Sequence, residues 1–127
     1  MENIKNSFNW VEIPVTDFER AKKFYSTILE FEMSDRMMGD LRMGFFPMEQ
    51  GYNGGAIVYG EGYTPAPQAH GPRVYLNAGE DLSMVLNRVK DAGGKVLMDK
   101  LEIGEGNGFM AMFRDTEGNE LLLHSMK

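Results

Sequence analysis

The stretch WVEIPVTDFERAKKFYSTIL, residues 10–29, decides the fold. Val11, Ile13 and Val15 alternate with Trp10, Glu12 and Pro14, the period-two pattern of a strand with one apolar face, which extends back to Phe8. A helix follows at once. Thr16 and Glu19 have the spacing of a capping box, and Phe18, Ala21, Phe24, Tyr25 and Ile28 recur at helical intervals to about Leu29. Three strands are expected next, over 32–36, 41–47 and 55–59, with Gly39-Asp40 and Tyr52-Asn53-Gly54 as turns.

Reading outward, the order recurs. Residues 73–78 form a strand, and Glu80 or Asp81 opens a helix that places Leu82, Val85, Leu86, Val89 and Ala92 on one face and ends at Gly93-Gly94. Strands over 95–98, 108–113 and 119–124 complete the second copy, the last two joined by the turn Asp115-Thr116-Glu117-Gly118. Two units, about 7–60 and 73–126, are thus linked by 61–72, a segment with three prolines. Laying one copy on the other matches Trp10 with Arg73, Glu12 with Tyr75 and Pro14 with Asn77. It also lays GGAIVYGE on GNELLLHS, which matches Val58 with Leu122 and Gly60 with His124. A sheet covered by a helix on one side leaves its other side free, and two such sheets can face each other around a pocket.

Composition narrows the function. The 127 residues fit one domain, and 43% hydrophobic residues suffice for a core. The chain has no cysteine, which removes disulfides, thiol nucleophiles and thiolate metal sites together. A net charge of −6, without a local Lys/Arg cluster, disfavours nucleic acid and anionic membranes as partners. No run approaches a membrane span, and MENIKNSFNW lacks a secretory pattern, so a soluble cytoplasmic protein is expected. The eleven methionines are read chiefly as core filler.

Three stretches, WVEIPVTDFERAKKFYSTIL, VYLNAGEDLSMVLNRVKDAGGKVL and FRDTEGNELLLHS, together resemble the glyoxalase / bleomycin-resistance / extradiol dioxygenase superfamily, also called the vicinal oxygen chelate superfamily. Within it the chain is most similar to small proteins related to lactoylglutathione lyase. The resemblance implies an α+β fold of two tandem βαβββ modules in a curved, partly open mixed β-barrel with helices outside, and a homodimer. It implies no single activity, because this scaffold serves isomerases, dioxygenases, transferases and drug-sequestering proteins alike.

Metal-using relatives place His or Glu ligands on the first and last strand of each module. Those positions here are Trp10, Val58, Arg73 and Leu122, and none can ligate an ion. No metal and no cofactor are expected, although Glu12, Glu120 and His124 share a face from which a displaced site could be built. His70 is expected as a solvent-exposed loop residue of the linker, from which it could also reach over the pocket mouth. Glu12, as a general base with a carboxyl raised by burial, and His124, as its acid/base partner, are the candidate catalytic residues. An ion pair between Glu12 and Arg73 is the plainer reading of that carboxylate. Trp10 as a stacking wall, Arg73 as an anion clamp, Tyr75 and Asn77 as hydrogen-bonding groups and Leu122 as pocket wall are the candidate ligand contacts. Three functions follow: a metal-independent lyase or isomerase on a small oxygen-rich substrate, a non-catalytic small-molecule binding protein, or a metal-dependent lyase using the displaced site.

Overall fold

A computed structural model describes residues 8–65 and 72–127. The elements run β1 (Trp10–Pro14), α1 (Phe18–Ile28), β2 (Ser34–Met38), β3 (Leu41–Phe45), β4 (Gly54–Tyr59), β5 (Tyr75–Asn77), α2 (Ser83–Val89), β6 (Lys95–Glu102), β7 (Phe109–Arg114) and β8 (Glu120–Ser125). Each copy makes one mixed four-stranded sheet. The orders are β1-β4-β3-β2 and β5-β8-β7-β6, with the first and last strand of each copy paired in parallel and the rest antiparallel. The sheets do not close, so the tandem α+β architecture is present as an open assembly.

One apolar core serves both copies. It joins Phe18, Ala21, Phe24, Tyr25 and Ile28 of α1 and Val85, Leu86 and Val89 of α2 to Ile13, Ile57, Ala111, Phe113, Leu121 and Leu123 from the strands. Aromatic edges knit it together: Tyr25 meets Phe46 at 5.2 Å and Phe24 meets Phe113 at 6.0 Å between ring centres. Alternation then puts Ala56 and Val58 on the far side of β4. There they form a small second cluster with Met43, backed by Leu41, Phe45 and Tyr63.

Four expectations need correction. The cap of α1 is Asp17, not Thr16: its Oδ1 accepts from the Arg20 amide at 3.1 Å, whereas Thr16 is drawn to Glu117 and Glu19 to Arg42. β6 is twice its expected length, because two register shifts between Val96 and Leu101 let it bend past Asp99 and Lys100 without the regular alternation that marks a strand. Met33 and Met43 are buried, but Met37, Met38, Met48, Met84 and Met126 are exposed, so core filling accounts for only some of the methionines.

The fourth concerns register. Val15 N donates to Val58 O and Ala78 N to His124 O, both at 2.9 Å, so Val58 corresponds to His124 and Ala56 to Leu122. Matching GGAIVYGE to GNELLLHS was two residues out. The glycines misled because they serve different ends. Gly118 is a turn residue at φ +90°, while a Cβ on Gly54 of β4, the glycine laid on it, would stand 2.6 Å from Met48 Sδ. A shift of two leaves every side chain on its original face.

Candidate functional site

The face of the first sheet turned away from the helices is built from cross-strand rows about 4.8 Å apart per strand. Glu12, Ala56 and Phe45 lie in one row, and Pro14, Val58, Met43 and Arg36 in the next. Trp10, two residues before Glu12, stands on the same face with its ring 6.2 Å from that of Phe45. The Arg36 guanidinium lies over the same Phe45 ring, 5.3 Å from its centre. Glu12 sits among these aromatics. Its Oε2 accepts from Trp10 Nε1 at 3.2 Å and its Oε1 from the Tyr63 hydroxyl at 2.5 Å. The carboxylate bond and partial burial together push the Tyr63 hydroxyl above its ordinary pKa.

Glu12 is exposed rather than partly buried as expected. The expected Glu12–Arg73 ion pair does not occur among the described residues: Arg73 is exposed just before β5, and Glu12 is held by ring donors instead. Tyr63 was not singled out in the sequence. It lies in the connecting segment, where no periodicity assigns a side chain to a face.

The corresponding face of the second sheet carries the other candidates in two rows: Tyr75, Leu122, Met112 and Met98, then Asn77, His124 and Met110. Leu122 is buried, whereas Tyr75 and Asn77 are exposed. Asn77 Oδ1 accepts from the Gly79 amide at 2.9 Å, which shapes the turn after β5. His124 Nε2 lies 2.8 Å from the Asn107 carbonyl oxygen, so that nitrogen carries the proton and the ring braces the β6–β7 turn. The structure therefore divides the candidates, Trp10 and Glu12 on one sheet and Tyr75, Asn77, Leu122 and His124 on the other.

A cleft of about 870 Å³ also opens between the edge strands β1 and β5. Its walls are core-facing residues such as Val11, Ile13, Val74 and Leu76, with Met84 and Arg88 from α2 and its approach. Tyr75 and Asn77 reach it; Trp10, Glu12, Arg73, Leu122 and His124 do not. A smaller cleft holds His124 with Tyr75 and Asn77 and no residue of the first sheet. Neither brings Glu12 and His124 together.

Metal-ligand chemistry was tested on the donor set. Replacing Val58 by Ala56, the structural counterpart of Leu122, leaves the positions as Trp10, Ala56, Arg73 and Leu122, which offer no oxygen, imidazole or thiolate; keeping Val58 with its own counterpart His124 adds a single imidazole, short of the donors an ion needs. The displaced trio does not assemble either. Glu120 is engaged by Arg114 at 2.8 Å, Glu12 by Trp10 and Tyr63, and His124 by Asn107. Among the described residues no three His, Asp or Glu side chains lie close enough to share an ion. These residues do not fit a divalent cation. His70 lies outside the described residues.

A different polar cluster joins the two copies. Tyr25 donates to Asp115 Oδ2 at 2.7 Å, and Asn119 Nδ2 bridges that oxygen and the Pro14 carbonyl. Next to it, the Glu117 carboxylate accepts from the amides of Thr16 and Asp17, from the Thr16 and Thr116 hydroxyls, and from Arg20 at 2.7 and 3.0 Å. These bonds hold Glu117 down to a pKa of about 2 against the opposing effect of burial. Burial raises Asp115, with its hydrogen bonds opposing, and burial raises Tyr25 further. The cluster is saturated by internal partners and pins the β7–β8 turn to the start of α1, so its work is to hold the two copies together.

Paired strand–helix–three-strand units, two open mixed sheets and an aromatic face on the first of them define the class. The chain belongs to the Glyoxalase/Bleomycin resistance protein/Dioxygenase superfamily, which it matches over residues 7–123. A glyoxylase-like domain-containing protein of Didymella fabae is 32% identical over 112 residues, which cover 86% of this chain and 85% of that protein. Among solved structures, glyoxalase I from Zea mays aligns with a TM-score of 0.69 at 21% identity over 92% of this chain. This chain spans only 45% of that enzyme's length. A glyoxalase/bleomycin resistance protein from Albidiferax ferrireducens aligns at 0.67 with 17% identity, covering 93% of this chain and 98% of its own. TnmS3, an antibiotic binding protein from a Streptomyces species, aligns at 0.63 with 22% identity, covering 97% and 98%. No helix among the described residues is long and apolar enough to cross a membrane.

Proposed function

We propose that this protein binds a planar, partly apolar small molecule on the outer face of its first sheet, without metal and without turning it over. The separation of Glu12 from His124 carries this reading: the pair considered for proton transfer sits on two sheets with separate partners, whereas Trp10, Phe45, Tyr63 and Glu12 share one face. Proton transfer requires both groups within reach of one substrate, while stacking with a single polar anchor requires only the aromatic face. The metal-ligand positions, filled by Trp10, Ala56, Arg73 and Leu122, support the same reading. So does the architectural likeness to TnmS3, itself an antibiotic binding protein. A cytoplasmic homodimer is part of the proposal, because a second copy would supply the facing wall that each open sheet lacks.

A thermal-shift screen of planar aromatic compounds tests it. Ligands should raise the melting temperature with concentration, as binding to the native state alone requires, and be recovered chemically unchanged. Conversion of a stabilising compound, or the absence of any stabiliser, would contradict the proposal.

A further inference from the structure

Tyr63 reaches the first sheet from outside it. Its ring lies against the Met43, Ala56 and Val58 cluster, and its hydroxyl takes Oε1 of Glu12 while Trp10 takes Oε2. The carboxylate thus has no cation within ion-pair distance among the described residues; both of its oxygens are served by donors on aromatic rings. Tyr63 is held to the sheet by that hydroxyl and by the packing of its ring on the cluster. Its backbone belongs to a short turn, closed by Tyr63 N donating to Gly60 O at 3.1 Å and passing through Gly62 at φ +90°. Only glycine adopts that conformation without strain, and a rotation at Gly62 would move the ring relative to the sheet.

We infer that Tyr63 is a built-in stand-in for the ligand, and that the ligand is a planar aromatic molecule presenting an O–H or N–H donor to Glu12 as it displaces the Tyr63 ring. The inference rests on the binding reading above and names the chemical class that reading leaves open. A phenol reproduces what Tyr63 supplies: a flat apolar ring for the Met43–Val58 floor and one donor for Oε1. A ligand carboxylate in the same place would meet the Glu12 charge with no proton to share, in a protein whose net charge is already −6. An aromatic hydrocarbon would cover the floor but strand the Glu12 oxygen that Tyr63 had satisfied. Selection therefore runs donor over hydrocarbon over anion.

The test uses the single tryptophan. Its indole N–H bonds directly to Glu12, so the Trp10 indole resonance of isotope-labelled full-length protein reports events at the carboxylate. β-Naphthol, naphthalene and β-naphthoate are titrated into the unaltered protein, Tyr63→Phe and Glu12→Gln. β-Naphthol should move the Trp10 resonance and bind most tightly of the three. Tyr63→Phe keeps the ring but frees Glu12, and should bind β-naphthol about five-fold more tightly, the worth of one competing hydrogen bond. Glu12→Gln should erase the advantage of β-naphthol over naphthalene while retaining the native amide spectrum. Equal affinity for all three compounds, or Tyr63→Phe binding β-naphthol no better than the unaltered protein, overturns the inference and leaves the binding face standing. If no compound moves the Trp10 resonance, the binding face falls with it.

Discussion

At the scale of single residues, Glu117 shows how one carboxylate can decide whether two similar halves stay joined. Its bonds to Thr16, Asp17 and Arg20 cross from the β7–β8 turn to the start of α1. Replacing it by Gln removes the charge that Arg20 pairs with, and should cost about 2 kcal/mol in urea unfolding. Its pKa of about 2 lies below the ordinary 4.5, so its stabilisation is complete above pH 4.5 and is lost as pH falls toward 2. Asp115 works the other way: its raised carboxyl favours the folded state at lower pH and opposes part of that loss. Unfolding measured across this acid window should therefore show a steeper decline for the unaltered protein than for Glu117→Gln. Of the residues at the candidate site, Trp10 and Glu12 were legible because strand alternation assigns them a face. Tyr63 was not, since a side chain in a connecting segment finds its partner through tertiary contact alone.

At the scale of elements, the helices were the readable part. Five core residues at helical spacing locate α1, and five spaced apolar residues, Leu82 to Ala92, locate α2, because a 3.6-residue period survives local irregularity. Caps and registers depend on which of several adjacent polar or small residues wins, and there the reading slipped. Asp17→Ala should cost about 1 kcal/mol as the loss of a true cap, and Glu19→Ala only a few tenths, since its pairing with Arg42 is exposed. Glycines of the two matched segments differ in an equally measurable way. Gly55→Ala drives a methyl against the Val11 carbonyl in the β1–β4 pairing and should cost at least about 2 kcal/mol. Gly118→Ala meets open space and only the left-handed backbone penalty, about 1 kcal/mol. Comparison of their urea midpoints checks the difference between a glycine kept for close approach and one kept for a turn. β6 escaped full recognition for a related reason, as its irregular pairing interrupts the alternation on which strand reading depends.

At the scale of the whole molecule, the duplication was legible because it rests on order and spacing rather than on any one residue. The shared core was not, because the sequence shows that each half has an apolar face but not that both faces meet in one cluster. Each sheet leaves its other face open, with Trp10, Met38 and Tyr75 exposed on it. Light scattering should accordingly report a mass of two chains at micromolar concentration, and a monomer would remove the second copy from the proposal. The central claim is that binding belongs to the Trp10–Glu12–Tyr63 face and that His124 takes no part in it. Calorimetric titration of an aromatic ligand found by the thermal-shift screen, into Trp10→Ala and His124→Ala in parallel, tests it most directly. Trp10→Ala should lose at least about ten-fold in affinity and His124→Ala should match the unaltered protein; full affinity in Trp10→Ala, or its loss in His124→Ala, would contradict the account.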